Sequence, residues 1–159
     1  MKILAPSPAE LTRGRAATPI AFIRAIAAGY RLRGMDPARA LAQAQIPPAL
    51  LDDPAARVTA AQMELLSGLA MQELDDEALG WFSRRLPWGS YGMLCRASLS
   101  SPTLEVALKR WCRHHRLLTE DIVFELAQRG GTATIRVAEH AELGELREFC
   151  LVSTLRYLL

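Results

Sequence analysis

The sequence predicts a mainly α-helical domain with one small β-hairpin, an α+β fold of seven to eight helices. Three observations carry this. Apolar residues recur three and four apart over most of the chain, as in Leu104, Ala107, Leu108, Trp111, His115 and Leu118, the spacing that lines one face of a helix. The periodic segments open on residues suited to helix starts: Thr18-Pro19, Asp36-Pro37, Thr59 and Ser101-Pro102. Two alternating runs flank Arg129-Gly130-Gly131, which is the pattern of a hairpin.

Residues 1–17 are rich in Pro, Ser, Ala and Arg without periodicity and are expected to form a flexible lead-in. Thr18-Pro19 opens the first helix, because the missing N–H of proline costs nothing in the first turn. Ile20, Ile23, Ala27 and Tyr30 share one of its faces, and Gly34 is placed to end it. Asp36-Pro37 starts a shorter helix through Gln45, with Ala40, Leu41 and Ala44 apolar. Pro47-Pro48 stops it, and Ala49-Leu50-Leu51 makes at most one turn before Asp52-Asp53-Pro54. Thr59 and Gln62 form a capping-box pattern for a helix to about Glu73, carrying Met63, Leu66, Leu69 and Ala70. Asp75 or Asp76 is read as the cap of a further helix holding Leu79, Phe82 and Leu86, broken at Pro87-Trp88-Gly89-Ser90.

Tyr91 to Leu99 returns to helix. Ser101 then caps the long helix that runs to Leu118, with Pro102 at its first position. Ile122, Phe124 and Leu126 alternate with Val123, Glu125 and Ala127, and Ile135 and Val137 oppose Thr134 and Arg136. A lone hairpin is marginal in water, so this one is expected to lie on the helical layer or to pair with another strand. From Glu142 the chain is read as one helix whose Leu143, Leu146, Phe149, Cys150, Val152, Leu155, Tyr157 and Leu158 cover more than one face. It ends on Leu158-Leu159 without a cap. The expectation is a piece of a longer protein, truncated at its C-terminus, or a last helix that packs on another subunit.

A length of 159 residues is the size of one domain, taken as residues 18–159. Half of the residues are hydrophobic and 23% are charged, which suits a globular core rather than disorder. The net charge of +2 argues against a dedicated nucleic-acid surface, and no helix-turn-helix with a polar recognition helix is present. Arg24, Arg31, Arg33 and Arg39 read as a solvated helix face. No apolar run reaches the roughly 18 residues needed to cross a bilayer, and MKILAPSPAELTRGR is not a secretory signal. A cytoplasmic protein without membrane contact is therefore expected.

Chemistry-bearing constellations are sparse. Cys95, Cys112 and Cys150 are widely spaced in apolar-periodic stretches and read as reduced, buried thiols. No metal site is expected: there is no CxxC, and the adjacent His114 and His115 point about 100° apart on a helix. There is no Gly-rich phosphate loop and no GxSxG elbow. Cys112 and His115 lie three apart on a helix directed at a core, without the exposure a thiolate nucleophile needs. Asp75-Asp76-Glu77 complements the dipole of a helix start. No enzymatic activity is expected.

Trp88, Tyr91, Trp111 and His115 combine large apolar surface with a polar tip, so they either line a small-molecule pocket or pack the interior. The helix from Glu142 to Leu159, with Leu146, Phe149 and Leu155, is the candidate for dimerisation or for packing against further chain.

A family pattern runs through these segments. It comprises Gly34-Met35-Asp36-Pro37, Leu50-Leu51-Asp52-Asp53-Pro54, Arg57-Val58-Thr59, Leu79-Gly80 and Tyr91-Gly92-Met93-Leu94. It continues with Ser101-Pro102-Thr103-Leu104, Ala107-Leu108 and His115-Arg116-Leu117-Leu118. From about Thr18 to the C-terminus the chain resembles the N-terminal regulatory domain, of the type called arabinose-binding, of AraC/XylS transcription regulators. The resemblance implies a cytoplasmic sensor in which an unidentified small effector, or a partner protein, binds this half. Binding would change how a homodimer presents its DNA-binding domains. DNA would be contacted only through a C-terminal helix-turn-helix domain that these residues lack. The sugar-binding branch is built on a cupin barrel. The predicted helices depart from that barrel, so arabinose is not implied.

The alternative is a helical protein-interaction module without a small ligand. A fainter similarity, in the order of helices, a helix ending in His, a hairpin and an apolar helix, is to the haem-nitric-oxide-binding fold, with His115 near its haem ligand. The Tyr-x-Ser-x-Arg motif that holds the haem propionates is replaced by Ile135-Arg136-Val137-Ala138-Glu139. Neither haem nor any other cofactor is expected.

Overall fold

The computed structural model describes residues 6–158; the first five residues of the expected lead-in and the terminal Leu159 lie outside this range. Among the described residues there are seven α-helices and two antiparallel two-stranded sheets, and no barrel closes. The chain divides into two compact units, Met1–Leu79 and Gly80–Leu159. The division falls where Leu79 and Gly80 both take positive φ, 51° and 84°.

In the first unit, part of the stretch expected as lead-in is a short helix, α1 (Pro8–Thr12). Ser7 and Glu10 cap it reciprocally, and Leu11 is buried. The carbonyl of Leu11 accepts a hydrogen bond from the Thr59 hydroxyl. The capping box Ser-Pro-Ala-Glu was present in the sequence, but one helical turn is too short to show periodicity.

Thr18–Pro19 form β1, which pairs antiparallel with β2 (Arg57–Val58). Two-residue strands carry no alternation and were not expected. Helix α2 (Ile20–Leu32) buries Ile20, Ile23, Ala27 and Tyr30 as its periodicity required. Helix α3 (Ala38–Gln43) starts where the Asp36 carboxylate accepts the Ala38 N–H at 2.9 Å, and one 3-10 turn follows at Pro48–Asp52.

Helix α4 (Ala60–Glu73) has the expected capping box: the Thr59 hydroxyl accepts the Gln62 N–H at 3.1 Å, and Gln62 Oε1 accepts the Thr59 N–H at 3.0 Å. Tyr30 donates to Glu73 at 2.9 Å across the α2–α4 contact.

The helix expected from Asp75 or Asp76 to Leu86 does not form. Asp75 and Leu79 take positive φ, 46° and 51°. The buried Asp76 carboxylate accepts the Ala78 N–H at 3.1 Å and pairs with Arg33 at 2.9 Å. A short acidic side chain bonded to the backbone two residues on favours a turn over a helix, and the ion pair holds that turn in place.

The second unit begins at Gly80 with the remainder of this irregular stretch and continues with α5 (Ser90–Leu99), entered through left-handed Gly89 (φ 97°). Helix α6 (Leu104–Leu118) starts two residues later than expected. Its cap is Thr103, whose hydroxyl accepts the Val106 N–H at 3.2 Å. Two hydroxyl residues flank Pro102, and the extended backbone of Thr103 (φ −140°, ψ 157°) makes it the cap. Leu104, read as core-facing, is 75% exposed.

Strands β3 (Ile122–Arg129) and β4 (Thr132–Glu139) pair in register from Ile122↔Glu139 to Arg129↔Thr132. Gly130 and Gly131 form the two-residue turn with φ 58° and 80°, the conformation that matches strand twist. The hairpin lies on the helical layer, with β3 packed on α6. The last expected helix is divided: a 3-10 turn (Gly144–Leu146) precedes α7 (Arg147–Leu158). Arg147 forks onto both Glu139 oxygens at 2.7 and 2.6 Å, fixing the start of α7 to the end of β4. Among the described residues, no helix is long and apolar enough to cross a membrane.

Candidate functional site

The second unit gathers aromatic rings around His115. Trp111 and His115 lie four apart on α6, one turn above each other, and both are buried. Their rings stack with centroids 5.0 Å apart and 21° between planes. Phe124 on β3 meets Trp111 and His115 edge-on at 5.3 and 5.0 Å. Phe82 meets His115 edge-on at 6.4 Å and Trp81 at 6.3 Å. Phe149 on α7 meets Trp81 at 5.0 Å, edge-on. These edge-to-face arrangements are the ones the ring quadrupoles favour.

Tyr91, in the first turn of α5, supplies the polar tip. Its hydroxyl lies 3.4 Å from His115 Nε2, and its ring stacks on Tyr157 of α7 at 4.3 Å. The irregular segment that carries Trp81 and Phe82 is tied at Ser83. Both the N–H and the hydroxyl of Ser83 donate to the Asp121 carboxylate at the foot of β3, the hydroxyl at 3.0 Å. The Asp121 carbonyl accepts the His140 N–H at 2.7 Å, closing the hairpin base.

Burial sets the electrostatics. His115 is fully enclosed, and desolvation pushes its pKa down from 6.5 to about 4, so the ring is neutral at pH 7. Three ring nitrogens in this cluster are buried without a hydrogen-bond partner: Trp81 Nε1, Trp111 Nε1 and His115 Nδ1. Buried polar atoms normally find partners, and each exception calls for an explanation.

The structure brings together Tyr91, Trp111 and His115 of the four pocket candidates. Trp88 is 50% exposed in the turn before α5. Of the three candidates for a packing surface, Phe149 is buried against Trp81, Leu146 is half-buried and Leu155 is exposed. Cys112 and Cys150 are buried thiols, and Cys95, also expected inside, is half-buried.

Trp81 and Phe82 belong to the cluster through a loop tie that no periodicity announces. A cleft of about 590 Å³ in the first unit runs between the Met35–Pro37 turn and the Pro48–Asp52 turn, and a second, of about 320 Å³, sits at the hairpin tip. Neither is lined by any of the four pocket candidates. Among the described residues, no three His, Cys, Asp or Glu side chains are grouped to hold a metal ion.

Residues 34–159 match the family described as the arabinose-binding domain of AraC transcription regulators, N-terminal. The chain belongs to this family. It is thereby a ligand-sensing regulatory domain, in a family of regulatory, non-catalytic domains of transcription regulators. The match begins at the Gly34-Met35-Asp36-Pro37 motif and spans both units. No curated protein and no solved structure matches the chain.

Proposed function

We propose that this chain is the effector-sensing and oligomerisation domain of an AraC-type transcription regulator. In this reading it works in the cytoplasm and governs a DNA-binding domain on the same polypeptide. The family match over residues 34–159 is the observation that carries it. The Tyr91–Trp111–His115 cluster supports an effector site in the second unit, because small-molecule sites combine aromatic surface with a few polar atoms. Leu155 and its neighbour Val152, both exposed on α7, supply apolar surface for a second copy.

The test is a thermal-shift screen of metabolites on this chain. A ligand that binds only the folded state at about 100 times its Kd adds about 2.7 kcal/mol of stability, a rise that is readily measured. Analytical ultracentrifugation of wild type and Leu155→Glu tests oligomerisation; the expected result is a wild-type dimer that the charge dissociates.

A second reading, a helical interaction module without a small ligand, draws on the close ring contacts in the same cluster, such as Trp111 on His115 at 5.0 Å. A screen in which no metabolite moves the melting temperature favours that reading and overturns the first.

A further inference from the structure

We propose that the ring cluster around His115 is the effector site in its closed form, and that it takes a neutral, planar molecule carrying carbonyl oxygens. This rests on the reading of the chain as an effector-sensing domain.

Trp81 Nε1 and Trp111 Nε1 can only donate. The Tyr91 hydroxyl lies beside His115 Nε2 at 3.4 Å. The arrangement in which Tyr91 donates to Nε2 places the single proton of the neutral imidazole on Nδ1, the third unpartnered atom. The cluster thus holds two indole N–H donors without an acceptor, and beside them an imidazole Nδ1 whose role follows the tautomer. They are linked by ring contacts: Trp111 on His115, His115 on Phe82, and Phe82 on Trp81. A buried donor without an acceptor is costly to maintain, and all three residues are more than nine-tenths buried. An acceptor that enters among them recovers what the closed form forgoes.

The surroundings select the ligand. The walls are the faces and edges of Phe82, Trp111, Phe124 and Tyr91, which suit a flat ring inserted between ring planes. The rings of Phe82, Tyr91, Trp111 and Phe124 pack around His115, and desolvation holds His115 itself neutral. A carboxylate or phosphate would therefore enter without a counter-charge from the rings that line the site, and burying an unpaired charge is far costlier than burying a paired amide. A carbonyl oxygen supplies the acceptor without that cost. Entry requires the rings to part. In this proposal the wall that parts is the Trp81–Phe82 segment, which lies outside regular secondary structure, and the Ser83–Asp121 tie is the restraint that would have to yield.

The test is NMR on the 159-residue chain, following the three indole N–H signals during titration with three neutral planar carbonyl compounds: 2-quinolone, isatin and phthalimide. Quinoline-2-carboxylate and arabinose serve as the anionic and sugar comparators. Expected is a saturable shift of the Trp81 and Trp111 signals with at least one of the three neutral compounds, and no shift of the exposed Trp88. Trp111→Phe keeps a ring and removes one donor, so it should weaken that compound about three- to tenfold. Trp81→Phe offers the same comparison should Trp111→Phe fail to fold, and the wild-type titration stands without either.

The proposal is overturned if none of the three moves the Trp81 and Trp111 signals, or if arabinose or the carboxylate moves them equally. It is also overturned if the variants bind as tightly as wild type. An effector found by thermal shift that leaves both indoles unmoved would overturn this site and leave the sensor reading standing. A screen with no effector at all would instead remove the sensor reading.

Discussion

Replacing His115 with Phe isolates the titration of one buried ring. In the folded chain, desolvation holds the His115 pKa at about 4 against an ordinary 6.5. Between those values the unfolded chain binds the proton and the folded chain does not. Stability therefore rises with pH across this window. The contribution of the neutral ring is fully present above pH 6.5 and is lost as pH falls towards 4. At 1.36 kcal/mol for each pH unit separating the two values, the full loss is about 3 kcal/mol.

Phenylalanine retains a flat ring for Trp111, Phe124 and Phe82 to pack on and cannot titrate. Urea unfolding at several values between pH 7 and pH 4 measures the difference. All three tryptophans, Trp81, Trp88 and Trp111, belong to the second unit, so their emission follows its unfolding. Wild type should lose about 3 kcal/mol more than His115→Phe over this range, with the protonation of carboxylates cancelling between the two proteins. Equal losses in both proteins, or a His115 imidazole resonance titrating near 6.5, would refute the burial argument.

The remaining predictions concern packing and caps. Thr59→Ala removes the α4 cap and the donor to the Leu11 carbonyl, and should cost about 1–2 kcal/mol in denaturant melts followed by far-UV circular dichroism; Thr59→Ser should recover most of it. Gly29→Ala places a methyl against the Leu79 carbonyl within the first unit, so it should destabilise by about 1–3 kcal/mol, and an unchanged melting temperature would show that the backbones are not in close approach. Iodoacetamide labelling read by mass spectrometry should modify Cys95 first; Cys150, buried and pushed up to about 12, should react last, and rapid labelling of Cys150 would contradict its burial.

Elements that satisfy a local rule within a few residues were legible in advance. The capping box at Thr59 and Gln62 placed α4, the Ile20–Tyr30 periodicity placed the buried face of α2, and two glycines between alternating runs placed the β3–β4 turn. What was missed was decided by partners distant in sequence. Asp75 and Asp76 looked like caps, and a helix was expected after them. Arg33, 43 residues earlier, pairs with Asp76 instead and stabilises the turn. Strands β1 and β2 exist because Thr18 finds Val58, and neither segment alone shows a period of two. The start of α6 moved from Ser101 to Thr103 because both residues are good caps, and only the backbone conformation separates them.

The site divides in the same way between local and distant determinants. Trp111 and His115 are four apart on one helix, so their union is a property of α6 alone. Tyr91 was picked for its chemistry, and the α5–α6 contact brings it to His115. Trp81 was invisible as a partner, since an expected helix through Leu79, Phe82 and Leu86 leaves it off the apolar face. Its position follows instead from the Ser83–Asp121 tie, 38 residues apart in sequence, which fastens a loop to the foot of the hairpin. Trp88, seven residues further on and chemically identical, is half exposed. Residue type could not separate these two indoles. The Asp121 carboxylate ties the segment that carries Trp81, so Asp121→Asn should loosen the Trp81 side of the cluster and leave the Trp111–His115 stack on α6 in place. An increase in the solvent exchange of the Trp81 indole N–H alone would show that wall moving, and equal exchange increases at both indoles would show that the cluster opens as one body.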